Sequence, residues 1–255
     1  MKVTTSQILP RERVIALGTF DGVHLGHQAV LEVASVIAMC EKMAPCALSF
    51  LNHPLSVVGA GAPPLLTLPA EKALLVSRSL IDELILLPFT RRLSGLAPEE
   101  FIRGLVGPGG ARHIVVGDNY TFGASGAGNV ELLDKLSREM GYTLHVVPKV
   151  SISGIDVSST RIRELLLAGD VRTAAALLGR AYTIGGPVVH GNHIGHEMGF
   201  PTINIDIPQG KLLPKFGVYF GYAQIAGEQY RAMFNLGVKP TVGSDKPTLE
   251  AYLVE

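Results

Sequence analysis

The sequence predicts an α/β chain in two parts: a parallel sheet with helices on both faces, then a small antiparallel β unit. Three observations predict it. From Val14 to about Gly179, short apolar runs alternate with helical spacings, the pattern of repeated βα units. After Gly179 come strand-like runs separated by Gly and Pro, with no helical spacing between them. The 255 residues are 47% hydrophobic and only 17% charged, enough to bury a sizeable core and to exclude wholesale disorder.

The elements follow in order. VIAL (14–17) is a buried strand by length and β-branching. Leu25 to about Lys42 repeats apolar residues at Val30, Val33, Ile37 and Cys40, a helical spacing. CALSF (46–50) is a second strand, Pro69 to Leu80 a helix, and ELILLPF (83–89) a third strand. Pro98 suits the first turn of a helix to about Val106, where its missing N–H has no intrahelical partner to lose. HIVVG (113–117) is a strand, Asn129 to Met140 a helix stopped by Gly141, and YTLHVV (142–147) a fifth strand. Two short helices, Ser159 to Ala168 and Asp170 to Leu178, each end at glycine. Tyr182–Val189, Gly217–Ile225, Gln229–Leu236 and Leu249–Val254 are the strands of the second part. The boundary is expected near Arg180, giving domains 1–180 and 181–255.

Lys plus Arg and Asp plus Glu balance at 22 each, without the broad positive footprint of a general nucleic-acid binder. No run reaches the ~18 apolar residues of a membrane span, and MKVTTSQILPRERV lacks the apolar core of a secretory signal. Cys40 and Cys46 are too few for a disulfide scaffold and read as buried thiols in a reducing cytoplasm. The expected partners are small molecules, with neither nucleic acid nor membrane.

VIALGTFDGVHLGHQAVLEVA (14–34) is the most informative segment. A buried strand runs into Gly18, then Phe20, Asp21 and Gly22, and His24-x-Gly26-His27 opens a helix. Unpaired N–H groups at a helix start attract an anion by roughly 0.3–1 kcal/mol. Gly26 lets the backbone approach a phosphate, and two imidazoles can donate to its oxygens, more strongly as charge builds on a leaving pyrophosphate. In VSSTRIRELL (157–166), Ser158 or Ser159 can cap a helix, and Arg163 suits bidentate contact with a triphosphate.

These segments resemble the GxFDGxHxGH and ISSTxxR motifs of bacterial riboflavin kinase/FAD synthetases, with Val157 replacing isoleucine. FLNHP (50–54) resembles their FxPHP stretch, Asn52 departing from it. VGDNYTFG (116–123) is similar to their flavin-side loop, with Asn119 and Phe122 in register, although the basic residue common after that loop is absent from ASGAGN (124–129). The resemblance implies a Rossmann-like nucleotidyltransferase domain catalysing Mg²⁺-dependent adenylyl transfer from ATP to FMN. His24 and His27 would then contact phosphates, and Ser159, Thr160 and Arg163 would hold the triphosphate.

His190, His193 and His196 invite a zinc reading, but Gly191, Gly195 and Gly199 disfavour a regular helix through them. A glycine-rich loop over phosphates is the stronger reading, because GFPTIN (199–204) follows. This stretch resembles the riboflavin kinase motif GxxxGxxxGFPTAN, with Ile203 in place of alanine. Thr202 and Asn204 are hard oxygen donors suited to Mg²⁺. The resemblance also implies that Glu250 is the general base for the ribityl hydroxyl of riboflavin, in a riboflavin kinase-like β-barrel domain lacking its usual carboxyl-terminal part. Three functions follow: a two-site FAD-forming enzyme, an FMN adenylyltransferase with a reduced kinase half, or a non-catalytic flavin- and nucleotide-sensing protein.

Overall fold

A computed structural model of the chain describes residues 1–5, 11–59, 61–189, 202–238 and 247–254. Its contacts divide the chain into two units, Met1–Ile162 with Ala176–Gly179 and Arg163–Ala175 with Arg180–Glu255.

The amino-terminal part runs β1 (Lys2–Thr4), β2 (Arg13–Leu17), α1 (Leu25–Glu41), β3 (Ala44–Phe50), α2 (Leu55–Val58), α3 (Pro69–Val76) and β4 (Glu83–Leu87). It continues with α4 (Arg91–Ser94), α5 (Pro98–Val106), β5 (Ala111–Gly117), α6 (Val130–Met140), β6 (Thr143–Val147) and the hairpin β7 (Ser151–Ile152) and β8 (Ile155–Asp156). Helices α7 (Ser159–Ala168) and α8 (Val171–Leu178) follow.

Six parallel strands form one sheet in the order β1-β4-β3-β2-β5-β6. The chain adds β3 and β4 on one side of β2 and then returns to add β5 and β6 on the other. That reversal opens a crevice beyond the carboxyl ends of β2 and β5, where ligands of such sheets bind. Alternation along each strand feeds two cores. Val14, Ala16, Ala47, Leu84 and Val115 pack with Val30, Leu31, Ala34 and Ala38 of α1 and Val76 of α3. Ile15, Leu17, Leu48, Ile85 and Ile114 pack with Ile102 and Leu105 of α5 and Leu133 and Leu136 of α6. Both faces are therefore covered, as an all-parallel sheet requires.

Four expectations are corrected. The buried stripe of α1 runs through Val30, Leu31, Ala34 and Ala38, while Val33 and Ile37 only flank it. Cys40, about 200° round the helix from Ala38, is exposed, and of the two thiols only Cys46 is buried. Helix α3 stops at Val76, because residues 77–80 form turns in which the Ser77 and Ser79 hydroxyls donate back to the Leu74 and Val76 carbonyls. Between Tyr182 and Val189 only Val188–Val189 is strand, since Gly185, Gly186 and Pro187 interrupt the run. The short edge strand β1 also escapes the periodicity reading, having three residues and no buried side chain.

The second part carries β9 (Val188–Val189), β10 (Thr202–Ile205), β11 (Gly217–Ile225), β12 (Glu228–Val238) and β13 (Pro247–Val254). They form an antiparallel sheet ordered β11-β12-β13-β10-β9 among the described residues. Ala232, Leu236, Leu249 and Ala251 face its buried side.

Candidate active sites in the two units

The β2–α1 connection builds the first site. Phe20 and Val23 hold positive φ angles of 46° and 41°, so the loop folds sharply between Leu17 and the helix. Gly18 admits this turn because the Phe20 ring lies against its Cα; a Cβ there would stand 2.8 Å from the ring. Gly22, at φ 88°, could not carry a side chain without meeting Leu66. The Asp21 carboxylate ties the loop down by accepting from the backbone N–H groups of Leu66 and Thr67, at 3.2 and 2.9 Å.

His24 is the N-cap of α1, its Nδ1 accepting the N–H of His27 at 3.2 Å. The two imidazoles stack with centroids 3.5 Å apart, and the Phe20 ring meets His27 edge-on at 5.3 Å. No acidic residue occupies the first turn of α1, so the positive end of the helix is not neutralised from within. Burial, the neighbouring His24 and the Lys72 ammonium hold the His27 imidazole well below its ordinary 6.5. Its Nδ1 is buried without a hydrogen-bond partner among the described residues.

These residues line a cleft of about 300 Å³ at the carboxyl end of the sheet. Gly18, Phe20, His24, Gly26 and His27 form one wall, Asn119 and Tyr120 another, and Lys149, Val157 and Ser159 a third. Ser158 caps α7 by accepting from the N–H of Arg161 at 3.2 Å, and the Ser159 hydroxyl donates to the Asp21 carbonyl at 2.8 Å. The two motifs, 138 residues apart, are thus bonded together.

In the second unit, Asn204 on β10 and Glu250 on β13 are direct register partners, and Asn235 on β12 pairs with Glu250 from the other side. Opposed residues of an antiparallel ladder share a face, so the amide, the carboxylate and the second amide form one row. Thr202, two residues before Asn204, pairs with Tyr252 on that same face.

The FAD synthetase family matches residues 6–161, and the riboflavin kinase family matches 178–255. A bifunctional riboflavin kinase/FMN adenylyltransferase of Pseudomonas fluorescens is 34% identical over 95% of this chain and 78% of its own. Its namesake from Listeria monocytogenes is 33% identical over 99% and 81%. The chain belongs to the bifunctional riboflavin kinase/FMN adenylyltransferase family. Both catalytic domains of that family are present. A solved structure from Streptococcus pneumoniae, described as a macrolide-efflux protein, superposes with a TM-score of 0.91 at 30% identity, covering 100% of this chain and 85% of that one. Among the described residues here, no helix is long and apolar enough to cross a membrane.

Against the family motifs, the structure gathers Gly18, Phe20, His24, Gly26, His27, Asn119 and Ser159 around one cleft. Asp21 and Gly22 are not among its lining residues; they hold the loop from behind. Phe122, expected at the flavin, is not among the cleft's lining residues; it is buried and packed against Phe101 and Tyr120, beneath the loop. Thr160 is exposed at the start of α7, and Arg163 follows one turn on, in the second unit of the division. Gly191, Gly195, Gly199 and the three histidines 190, 193 and 196 lie outside the described residues. Tyr120, Lys149 and Asn235 are additions from the structure. Tyr120 lies inside VGDNYTFG (116–123) and Asn235 opens NLGVKPTVG (235–243), which also looks like a segment of the family, so these two had a signal in the sequence and Lys149 had none.

Proposed function

We propose that the chain makes FAD in two steps, phosphorylating riboflavin to FMN in residues 181–255 and adenylylating FMN in residues 1–180. In the second step, an FMN phosphate oxygen attacks the α-phosphorus of ATP and the bond to pyrophosphate breaks. FMN brings its own nucleophile, so the protein has only to bind, orient and stabilise charge. The observation that carries this reading is the stacked His24–His27 pair at the start of α1, inside a cleft at the reversal point of the sheet. Their ring N–H groups and the helix terminus address the pyrophosphate as its charge grows. Gly26 gives the phosphates close approach to the backbone, Ser159, Thr160 and Arg163 hold the triphosphate, and Asn119 faces the flavin.

In the kinase step, Glu250 takes the proton of the ribityl 5′-hydroxyl as that oxygen attacks the γ-phosphorus and ADP leaves. Gly191, Gly195 and Gly199 are the candidate loop over the ATP phosphates. The donor set suits Mg²⁺: Thr202 and Asn204 offer neutral oxygens beside the Glu250 carboxylate. When bound, Mg²⁺ would neutralise charge on the ATP phosphates.

Incubation with Mg-ATP and either riboflavin or FMN, followed by flavin chromatography, tests the reading. FMN from riboflavin and FAD from FMN are expected. FAD alone would leave a transferase with a reduced kinase half, and neither product would leave a flavin- and nucleotide-sensing protein.

A further inference from the structure

Lys72, on α3, is a buried ammonium outside every motif named above. Its Nζ donates to the Thr19 carbonyl at 2.7 Å, the Ser49 hydroxyl at 3.0 Å and the Phe50 carbonyl at 3.0 Å, using all three of its protons. The Ser49 hydroxyl also donates to the Thr19 carbonyl, at 2.7 Å. That carbonyl belongs to the peptide preceding Phe20, whose backbone has φ 46°. Fixing its direction fixes the peptide plane on which this unusual φ turns, and so places the Phe20 ring beside Gly18 and edge-on to His27.

We propose that Lys72 is a positioning residue for adenylyl transfer, its ammonium holding the Thr19 carbonyl so that Phe20 and His27 keep their places in the cleft. The inference rests on the transferase reading above. A neutral amine has two donors for three acceptors, so one oxygen would then face a lone pair and the turn would loosen. The titratable groups around Lys72 are Asp21 from the β2–α1 loop, His53 from the β3–α2 loop and His27 from α1. Burial lowers the ammonium to about 8, and the Asp21 carboxylate opposes this. Transferase activity should therefore fall as pH rises through about 8. Stability moves the other way. Between about 8 and the ordinary 10.5 the unfolded chain holds the extra proton, so the Lys72 contribution to stability rises with pH. Activity lost in that window is thus not unfolding.

The test is the pH profile of FAD formation from FMN, pH 6 to 10, for the parent chain, Lys72→Arg and Lys72→Met, with thermal unfolding recorded alongside. The parent should lose activity above about pH 8 while its unfolding midpoint holds. Lys72→Arg should move that limb upward by about one pH unit or more, because arginine stays charged. Lys72→Met should lower kcat about tenfold or more, with a smaller change in KM for ATP and no limb near 8. The parent profile alone keeps the proposal testable if a variant fails to fold. FAD formation that stays flat to pH 9.5 overturns it, as does a limb unchanged in Lys72→Arg or a Lys72→Met enzyme at parent kcat. A parent chain that makes no FAD from FMN would instead count against the transferase reading itself.

Discussion

Nδ1 of His24 accepts the backbone N–H of His27, and the two rings stack with centroids 3.5 Å apart. One imidazole nitrogen is therefore spent on capping α1, and the neutral ring carries its proton on Nε2. The cap fixes the tautomer, and the tautomer supplies a donor at the positive end of the helix. The same spacing that starts the helix thus also sets its chemistry.

That double duty can be separated. In His24→Asn the side-chain oxygen can still cap the helix, but the Nε2 donor is gone. FAD formation should fall about 100- to 1,000-fold, the cost typical of losing one transition-state donor, with little change in thermal midpoint. His24→Ala loses the cap as well and should be less stable by about 1 kcal/mol more. Steady-state kinetics with thermal melts of both variants check this, and equal stability loss in the two would remove the capping role.

His27 makes stability pH-dependent with a definite sign. Its imidazole is held well below the ordinary 6.5, chiefly by burial. As pH falls below 6.5 the unfolded chain takes up a proton that the folded chain resists, so stability drops until pH reaches the lowered folded value. His27→Gln cannot titrate and should flatten that part of the curve. Urea midpoints at pH 7.5 and 5.0 for both proteins report the difference, and parallel losses would place the proton uptake elsewhere.

Local features of this fold could be read from the sequence, and non-local ones could not. Val14–Leu17 running into Gly18 and then a helix is a pattern within one window, and it locates the cleft. Cys40 falls on an apolar stripe by spacing alone, because a spacing of three and four admits more than one stripe, and only packing on the sheet selects Ala34 and Ala38. The bond from Ser159 to Asp21 spans 138 residues and has no local signature. Asn204 could be singled out by type and Glu250 by family resemblance, but their opposition is a matter of strand register, which the folded sheet decides. Phe122 could be placed in a loop by motif register, but its burial against Phe101 and Tyr120 is a matter of packing that no local window contains.

Within the second unit Asn204 and Glu250 are register partners, and on the kinase reading proposed above Asn204 would hold the ion while Glu250 accepts the proton. Glu250→Gln keeps the shape and loses the base, so riboflavin phosphorylation should fall about 10²- to 10⁴-fold at near-parent ATP affinity. Asn204→Ala should weaken ATP binding in the presence of Mg²⁺ as well as turnover. Titration of ATP against each variant distinguishes them, and a Glu250→Gln enzyme at parent rate would reduce Glu250 to an ordinary strand carboxylate.

At the amino-terminal end of the sheet, Arg13 and Glu83 form a buried ion pair at 2.9 Å. Glu83→Gln strands the guanidinium and should cost about 3–5 kcal/mol by chemical denaturation, while kcat for FAD formation holds in the protein that remains folded. Burial, with the Glu83 carboxylate beside it, pushes the Cys46 thiol up to about 12. Maleimide should accordingly label Cys40 quickly and Cys46 only on unfolding, a result read by mass spectrometry of the native protein.

The central claim is that two chemistries occupy two separate sites, and crossing two variants against two assays tests it most directly. FAD formation from FMN and FMN formation from riboflavin are each measured in His27→Ala and Glu250→Gln by flavin chromatography. The account predicts that His27→Ala loses FAD formation by about tenfold or more and keeps FMN formation, while Glu250→Gln does the reverse. Both activities falling together in either variant would mean one shared site and would contradict it.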